Sequence, residues 1–546
     1  NTVHRKGSHF TWSDRGTKSR LDYFFVHNAT AMCVKEMNVL TVISDHGTHR
    51  LTDHKAIMLN LNVAVPRRGP GYWKINNCLL NDQEYCDGVI SIINSVTTDN
   101  ESNANSKTIA WEYLKKKIRE YSIRFGILRS KSKRDEIDSL ERELGEFDDR
   151  CQLDDDSTVR KEHIQNRLHV LYTEKSLGAQ LRAKVHETNE VECNYSLFNS
   201  IEHCRQSNNV IKSLIDNVRN EVFDQEQILN IMGQFYQNLY QSNNVNCENI
   251  DHMLNSIDME NVLSNQDKQF LEQMPREDEF SSVLSKIKEK KSPGLDGLTI
   301  EFFKHFWLYI KELYCDMINE VWRVEILPHT TRSSVLSTIY KDDARNNLQN
   351  YRPLSLTNCD YKILTFVFAE RLQHVIPSII HLDQSAYIKG RLIGCSVRNI
   401  IDVMDHCEAN NLPGALLCMD FKKAFDSVEH SFIYKVLKKF NFGTNFIKWI
   451  SILYTNPIFK IKNNGWLSKD YFMNRGVRQG CAVSALIFIL VVEILSIMIR
   501  SNLNIHGITI ENRAHKVVQY ADDITVFVSD VNSIRHVIDT VETFSK

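Results

Sequence analysis

Along the chain the apolar positions fall into three regimes. In residues 1–62 they alternate or form short β-prone runs; SRLDYFFV (19–26) and KAIMLNLN (55–62) both fit half-buried strands. A Pro/Gly-rich break, PRRGPG (66–71), follows and marks a boundary. From about residue 80 to 270 the pattern turns helical, with frequent charges at i,i+4 spacing. From residue 286 onward strand-like runs, turns and helical faces alternate, as in an α+β or α/β unit. KSPGLDG (291–297) reads as a turn before a helix capped near Asp296 or Thr299, with Phe302, Phe303, Phe306, Trp307 and Ile310 on one apolar face. AVSALIFILVVEILSIMI (482–499) has the length of a membrane span, but Glu493 inside it is costly in a bilayer, so it is expected to be a buried core helix.

A chain of 546 residues has room for several cores, and its 20 Gly and 9 Pro leave little for flexible linkers. The formal net charge of −2 carries no global basic signature, so contacts to a nucleic acid would need local patches. One stretch is sharply polarised: residues 115–134 carry nine basic side chains against Glu120, and residues 135–156 carry eleven acids against two arginines. A solvated helical arm explains this simply. Tyr121 and Phe125, interleaved with Arg119, Arg124 and Arg129, leave backbone tracking of RNA or DNA as a second reading. The 13 cysteines form no C-x-x-C pair, which speaks against structural zinc and a disulfide framework and for reduced thiols. No signal peptide is visible.

The chemistry concentrates in carboxylates. KVVQYADDITVFV (516–528) reads as a tight hairpin with Asp522 and Asp523 at its tip; Asp is also a common turn residue, which would explain the pair without function. ALLCMDF (415–421) reads as a buried strand ending at Asp420, where an uncompensated carboxylate is expensive. Asp426 has an easier explanation, because DSVE (426–429) looks like a capping box opening the helix that continues through Phe432, Ile433, Val436, Leu437 and Phe440. Asp420, Asp522 and Asp523 on adjacent strands would converge. Such a cluster can hold two Mg²⁺ ions about 4 Å apart, an arrangement suited to phosphoryl transfer, and oxygen-only ligands suit Mg²⁺.

MDFKKAFDSV (419–428), NRGVRQGCAVSALIF (474–488) and QYADD (519–523) resemble reverse-transcriptase motifs A, B and C, in that order. Upstream, KKSPGLDGLTIEFFK (290–304), NYRPLSLTNCDYKIL (350–364) and DQSAYIKGRLIGCSVRNI (383–400) resemble the extra blocks of non-LTR (LINE-type) retrotransposon polymerases. GYWKINNCLL (71–80) and GAQLRAKVHETNEVECNYSLF (178–198) look like the connector of the same second open reading frame. The resemblance implies that Asp420, Asp522 and Asp523 are the catalytic acids and ligands of two Mg²⁺ ions, with Mn²⁺ a substitute. It implies that Phe425 is the aromatic gate against a ribose 2′-OH, core packing being the plainer role for that ring. Gln479 and Gly480 would touch the incoming nucleotide and template, and Lys341 and Arg352 would grip its triphosphate. Ala482 and Ala485 stand where motif B usually has prolines.

HFTWSDRGTKSRLDYFFV (9–26) and RLTDHKAIMLNL (50–61) resemble the C-terminal end of the apurinic-type endonuclease domain that LINEs carry. Asp22 would match the acid paired to the catalytic histidine and Asp53-His54 the dyad at the phosphate, with Asp45-His46 competing for that role. The family's earlier endonuclease motifs and, beyond Lys546, its later palm motifs and thumb are not in this sequence, so this part is expected not to cut DNA by itself.

The expected fold class is therefore α+β: a right-hand fingers/palm reverse-transcriptase domain at 286–546 (core 322–546), a helical connector at 63–285, and a four-layer α/β endonuclease remnant at 1–62. The implied function is RNA-directed DNA polymerase, target-primed in the intact element, with an RNA template, a DNA primer and target, and dNTPs as partners and no membrane. A ribonucleoprotein in the nucleus or cytoplasm is the implied location. A catalytically dead nucleic-acid-binding relic and an endonuclease are the alternatives.

Overall fold

The computed structural model describes residues 11–14, 17–25, 34–40, 54, 56–61, 68–103, 106–148, 154–183, 195–208, 210–216, 218–243, 245–259 and 261–545. The chain divides into two units, Asn1–Arg68 and Gly69–Lys546. In the first, Trp12–Asp14 pairs antiparallel with Thr17–Ser19, and Val34–Leu40 with Ala56–Leu61. KAIMLNLN thus contains a strand, whereas in SRLDYFFV only Ser19, the end of Thr17–Ser19, is in one: residues 20–24 lie outside regular structure, Phe25 makes an isolated bridge, and Val26 lies outside the described residues. The hydroxyl of Thr11 accepts the backbone N–H groups of Leu21 and Asp22 at 2.9 and 3.1 Å, so a side chain takes donors that a strand would give to its neighbour.

In the second unit the polarised stretch is a helical hairpin. Lys107–Asp148 lies against Asp155–Ala183, joined by Arg160–Glu143 at 2.8 Å, Arg167–Glu136 at 2.7 Å and a Lys133–Glu174 pair. Three of its acids therefore pair with basic residues across the hairpin, and each exposed pair contributes only about 0.2–1 kcal/mol. Tyr121 and Phe125 are not a stacking platform: their rings pack on Tyr85 at 5.6 and 5.4 Å, against the core. Arg129 is tied to Asp82 at 2.7 Å.

Lys115, at the head of the basic run, is not solvated at all. Its ammonium is buried 2.6 Å from Asp360 Oδ2 and 3.3 Å from Asp296 Oδ2. Asp360 Oδ2 also accepts from Trp111 Nε1 at 3.0 Å and Thr331 Oγ1 at 2.8 Å. Burial raises both carboxyls. At Asp360 the ammonium and these donors outweigh it and hold the group below its usual range, whereas Asp296 is pushed up to about 6. Asp296 is thereby spoken for, and Thr299 caps the helix Ile300–Val324, its hydroxyl accepting from the N–H of Phe302 at 3.3 Å.

That helix, Cys359–Ile379 and Ala482–Ser501 share one large apolar core. Among the described residues Ala482–Ser501 is the one helix long and apolar enough to cross a membrane, and 83% of its most apolar stretch is buried in the protein. Glu493 within it is buried and paired with Arg500. Burying each large aliphatic or aromatic side chain of this helix contributes about 1.5–3 kcal/mol.

Two sheets flank the core. Ser333–Tyr340 pairs antiparallel with Tyr351–Thr357 and parallel with Ile458–Asn463, which Trp466–Leu467 and Tyr471–Phe472 extend. In the other, Asp523–Val528 lies between Val517–Tyr520 and Ala415–Met419, antiparallel to both. Ala415–Met419 departs from expectation. Among the described residues it is an edge strand with one neighbour, and Leu416 is 39% exposed, so the apolar run is not buried.

Replacing Lys115 by Met should destabilise the protein by about 3–5 kcal/mol at pH 7.5, because two buried carboxylates lose their cation. A carboxyl whose folded-state pKa lies above its unfolded value makes stability rise as pH falls toward that value. The deficit of the variant should therefore shrink between pH 7.5 and about 5, as read from urea midpoints at each pH.

Candidate active site

Asp522 and Asp523 sit where the chain reverses between two paired strands. The last partners are Tyr520 and Asp523, so Ala521 and Asp522 make a two-residue turn. Ala521 adopts a left-handed φ of 56°, which costs a residue with a Cβ about 1–2 kcal/mol. Two buried amides hold it there. Gln384 Oε1 accepts the N–H of Ala521 at 3.0 Å, and Gln519 Nε2 donates to its carbonyl at 2.9 Å. Gln519 is anchored in turn by Ser496 Oγ at 2.7 Å and by backbone bonds to Asp383 and Ser385. The bracing role of Gln384, inside the block DQSA (383–386), is legible only from the fold.

Asp420 follows the strand Ala415–Met419 directly, and the register Met419–Ile524 continued by one residue sets it opposite Asp523. Asp420 and Asp523 are exposed; Asp522 is half-buried. Burial, then repulsion from Asp523 and Asp420, raises the Asp522 carboxyl, against the pull of its own backbone N–H and of Arg352. The structure thus brings the three acids and Arg352 into one electrostatic neighbourhood.

The loop 474–480 is tied to the segment that follows Asp420 and to the strand that carries Arg352. Its backbone N–H groups at Gly476 and Val477 donate to the carbonyls of Val428 and Phe425, both at 2.7 Å. Gly476 has φ 83°, and a Cβ there would stand 2.8 Å from the Asp426 carbonyl oxygen. Gly480, at φ 105°, passes so close to Ser355 that a Cβ would stand 2.9 Å from its carbonyl, while the Ser355 N–H donates to the Gln479 carbonyl at 2.9 Å. Ser355 and Arg352 lie on the same strand, so the loop and the cation are held in one frame. Phe425 stacks on Phe488 with centroids 4.3 Å apart and meets the edge of Tyr387 at 6.3 Å, the core role foreseen for it beside that of a gate. Lys341 is exposed at the end of the neighbouring strand, close enough to Lys423 to lower that ammonium's pKa, though burial acts on it more strongly.

Asp426 is not a helix cap. The helix runs His430–Lys439 with Glu429 at its N-cap position, and Asp426 lies buried in the short turn Ala424–Ser427. Its Oδ1 accepts from the Tyr240 hydroxyl at 3.0 Å and its Oδ2 from Gln479 Nε2 at 3.2 Å. Burial pushes its carboxyl up to about 6. A cavity of about 550 Å³ opens beneath the same stretch, lined by Phe421, Ala424, Phe432, Phe488 and Phe544; none of the three acids lines it.

In the N-terminal unit His54 Nδ1 lies 2.8 Å from Asp22 Oδ2, and that contact holds the Asp22 carboxyl below its usual range. Asp53, Asp45 and His46 lie outside the described residues.

The acids at 420, 522 and 523 suit a hard divalent cation by chemistry, being oxygen donors crowded enough to perturb one another. They do not form a closed cage, since no group of three His, Cys, Asp or Glu among the described residues is gathered closely enough to hold a metal. Mg²⁺ is commonly bound by one or two carboxylates together with substrate phosphates, and this open arrangement fits that mode.

Residues 339–546 match the family described as reverse transcriptase (RNA-dependent DNA polymerase). The chain is 27% identical over 501 residues to the transposon TX1 uncharacterized 149 kDa protein of Xenopus laevis, covering 90% of this chain and 38% of that protein. It is 25% identical over 264 residues to the retrovirus-related Pol polyprotein of the type-2 retrotransposable element R2DM of Drosophila melanogaster, covering 48% of this chain and 24% of that one. To the corresponding polyprotein of element R2 of Popillia japonica it is 24% identical over 256 residues, covering 46% and 35%. The chain thus spans well under half the length of these relatives. Residues 339–546 carry the match to reverse transcriptase, and the relatives the chain resembles are proteins of a transposon and of retrotransposable elements.

Replacing Gln384 by Leu should leave the Ala521 N–H buried without its acceptor and lower the free energy of unfolding by about 1–3 kcal/mol. Urea titration of the two proteins measures this, with amide hydrogen exchange at Ala521 and Asp522 expected to accelerate.

Proposed function

We propose that this chain is an RNA-directed DNA polymerase that extends a DNA primer on an RNA template, in the target-primed manner of LINE-type elements. The observation that supports the reading is the placement of Asp420, Asp522 and Asp523 at the ends of two paired strands, where Asp420, Asp523 and Arg352 all act on the Asp522 carboxyl. Two Mg²⁺ ions held by these acids would polarise the primer 3′-hydroxyl and neutralise charge on the phosphates. The 3′-oxygen forms a bond to the α-phosphorus, the bond from that phosphorus to the α,β-bridging oxygen breaks, pyrophosphate leaves, and the hydroxyl proton passes to solvent. Arg352 and Lys341 grip the triphosphate, and holding it in line accounts for much of the rate enhancement. Gln479 and the backbone at Gly480 align the nucleotide, and Phe425, fixed by its stack on Phe488, closes the space a 2′-hydroxyl would need.

In the same reading residues 1–62 are the C-terminal part of an endonuclease/exonuclease/phosphatase-type domain, residues 63–285 the connector, and residues 286–546 the fingers and palm. The Asp22–His54 contact supports the first assignment, because a carboxylate on Nδ1 fixes a histidine's tautomer and leaves Nε2 for a phosphate.

Primer extension on an RNA template with Mg²⁺ and dNTPs tests the polymerase. The unaltered chain should extend, and Asp522→Asn should reduce the rate by about 10³-fold or more, the scale of losing a principal charge-stabilising group. No extension by the unaltered chain while it still binds RNA would point to the relic instead. Phe425→Ala should narrow the preference for dNTPs over NTPs by at least about tenfold, read as the ratio of their kcat/KM values.

A further inference from the structure

The site holds one buried acid that the reaction as described leaves without a task. Asp426 stands six positions after Asp420 and carries an ionisable carboxyl in the interior, where burial raises its pKa. Unpaired, a buried carboxylate is expensive, and here it has two donors, one on each oxygen. One is Gln479 of the nucleotide-binding loop. The other is Tyr240, which ends the helix Gln225–Leu239 in the connector.

Tyr240 is itself fixed to the same loop, its carbonyl accepting the N–H groups of Asn474 and Arg475 at 2.9 and 3.1 Å. Arg475 Nε donates to the Leu239 carbonyl at 2.7 Å, and Glu429 accepts from Ser242 Oγ and the Asn243 N–H at 2.8 and 2.9 Å. The end of the connector helix is thus fastened at several points to the two segments that flank the nucleotide site. A carboxylate can only accept, so it selects the amide orientation in which Gln479 Nε2 faces inward. The amide oxygen is then turned away from Asp426 and left to accept from another partner.

We propose that Asp426 is a positioning residue for the polymerase reaction, fixing the amide of Gln479 against the incoming nucleotide, and that Tyr240 makes the connector helix part of that device. The inference rests on the polymerase reading above. Asp426→Asn is nearly isosteric and removes a buried charge, so the variant should fold with an unchanged or higher thermal midpoint. An asparagine can present donor or acceptor, however, and no longer dictates which way Gln479 faces.

Steady-state extension should give a KM for dNTP raised about tenfold by Asp426→Asn and about threefold by Tyr240→Phe, with kcat changed less than about threefold, as expected for lost hydrogen bonds to a charged group. In a Gln479→Ala background, Asp426→Asn should change KM less than about twofold, because the two residues act as one unit. An unchanged KM in Asp426→Asn, or effects of the two substitutions that simply multiply, would overturn the assignment. An unaltered chain that neither extends a primer nor binds dNTP would overturn the polymerase reading and this inference together, and that outcome is seen without any variant.

Discussion

An ammonium group enclosed by two carboxylates joins parts of this chain that are far apart in sequence. Lys115 belongs to the connector's long helix, Asp296 to a turn ahead of a core helix, and Asp360 to the start of another. Each charge alone would cost several kcal/mol to bury, so the three are tolerable only when all are in place. Thr331 is drawn into the cluster through Asp360, immediately before the strand Ser333–Tyr340. The strand Tyr351–Thr357 is then confined between Thr331 and Asp360 in sequence. It carries Arg352, which acts on Asp522, and Ser355, which is bonded to the loop 474–480. A buried ionic contact remote from the chemistry thereby fixes the frame on which the site is assembled.

The site itself is made of small constraints that share partners. The left-handed Ala521 is held by two amides, and the buried Asp426 carboxyl accepts from two donors. Gly476 and Gly480 allow the loop to lie against the Asp426 backbone and against Ser355. Few of these contacts join neighbours in sequence. Gln384 and Ala521 are separated by 137 positions, Tyr240 and Asp426 by 186. Order in the segments around Asp426 therefore depends on residues 225–243 being folded.

The acids at 420, 522 and 523 were legible because period-two alternation places residues at strand ends without knowledge of the partner strand. The buried helix at 482–501 was legible because only one charged side chain interrupts its apolar run. Lys115 was not, since nothing local separates it from the eight basic residues that follow. Asp426 was misread because a carboxylate three residues before a glutamate has a sufficient local explanation, and its true partners lie 53 and 186 positions away. Ala415–Met419 was expected to be buried because apolar content reports the tendency to leave water, not whether a second strand is there to cover it. SRLDYFFV failed for the complementary reason: one threonine hydroxyl captures the backbone donors that alternation would have assigned to a sheet.

The half-open strand that ends at Asp420 has a consequence for how the protein behaves in solution. Its second edge, unpaired among the described residues, offers a row of backbone donors and acceptors beside Leu416 and Cys418, which are the ingredients for recruiting a foreign strand. The segment is short, five residues, which limits the reach of such pairing. At high concentration the first intermolecular contacts should form there, so that association would occlude the end of the strand where the first acid stands.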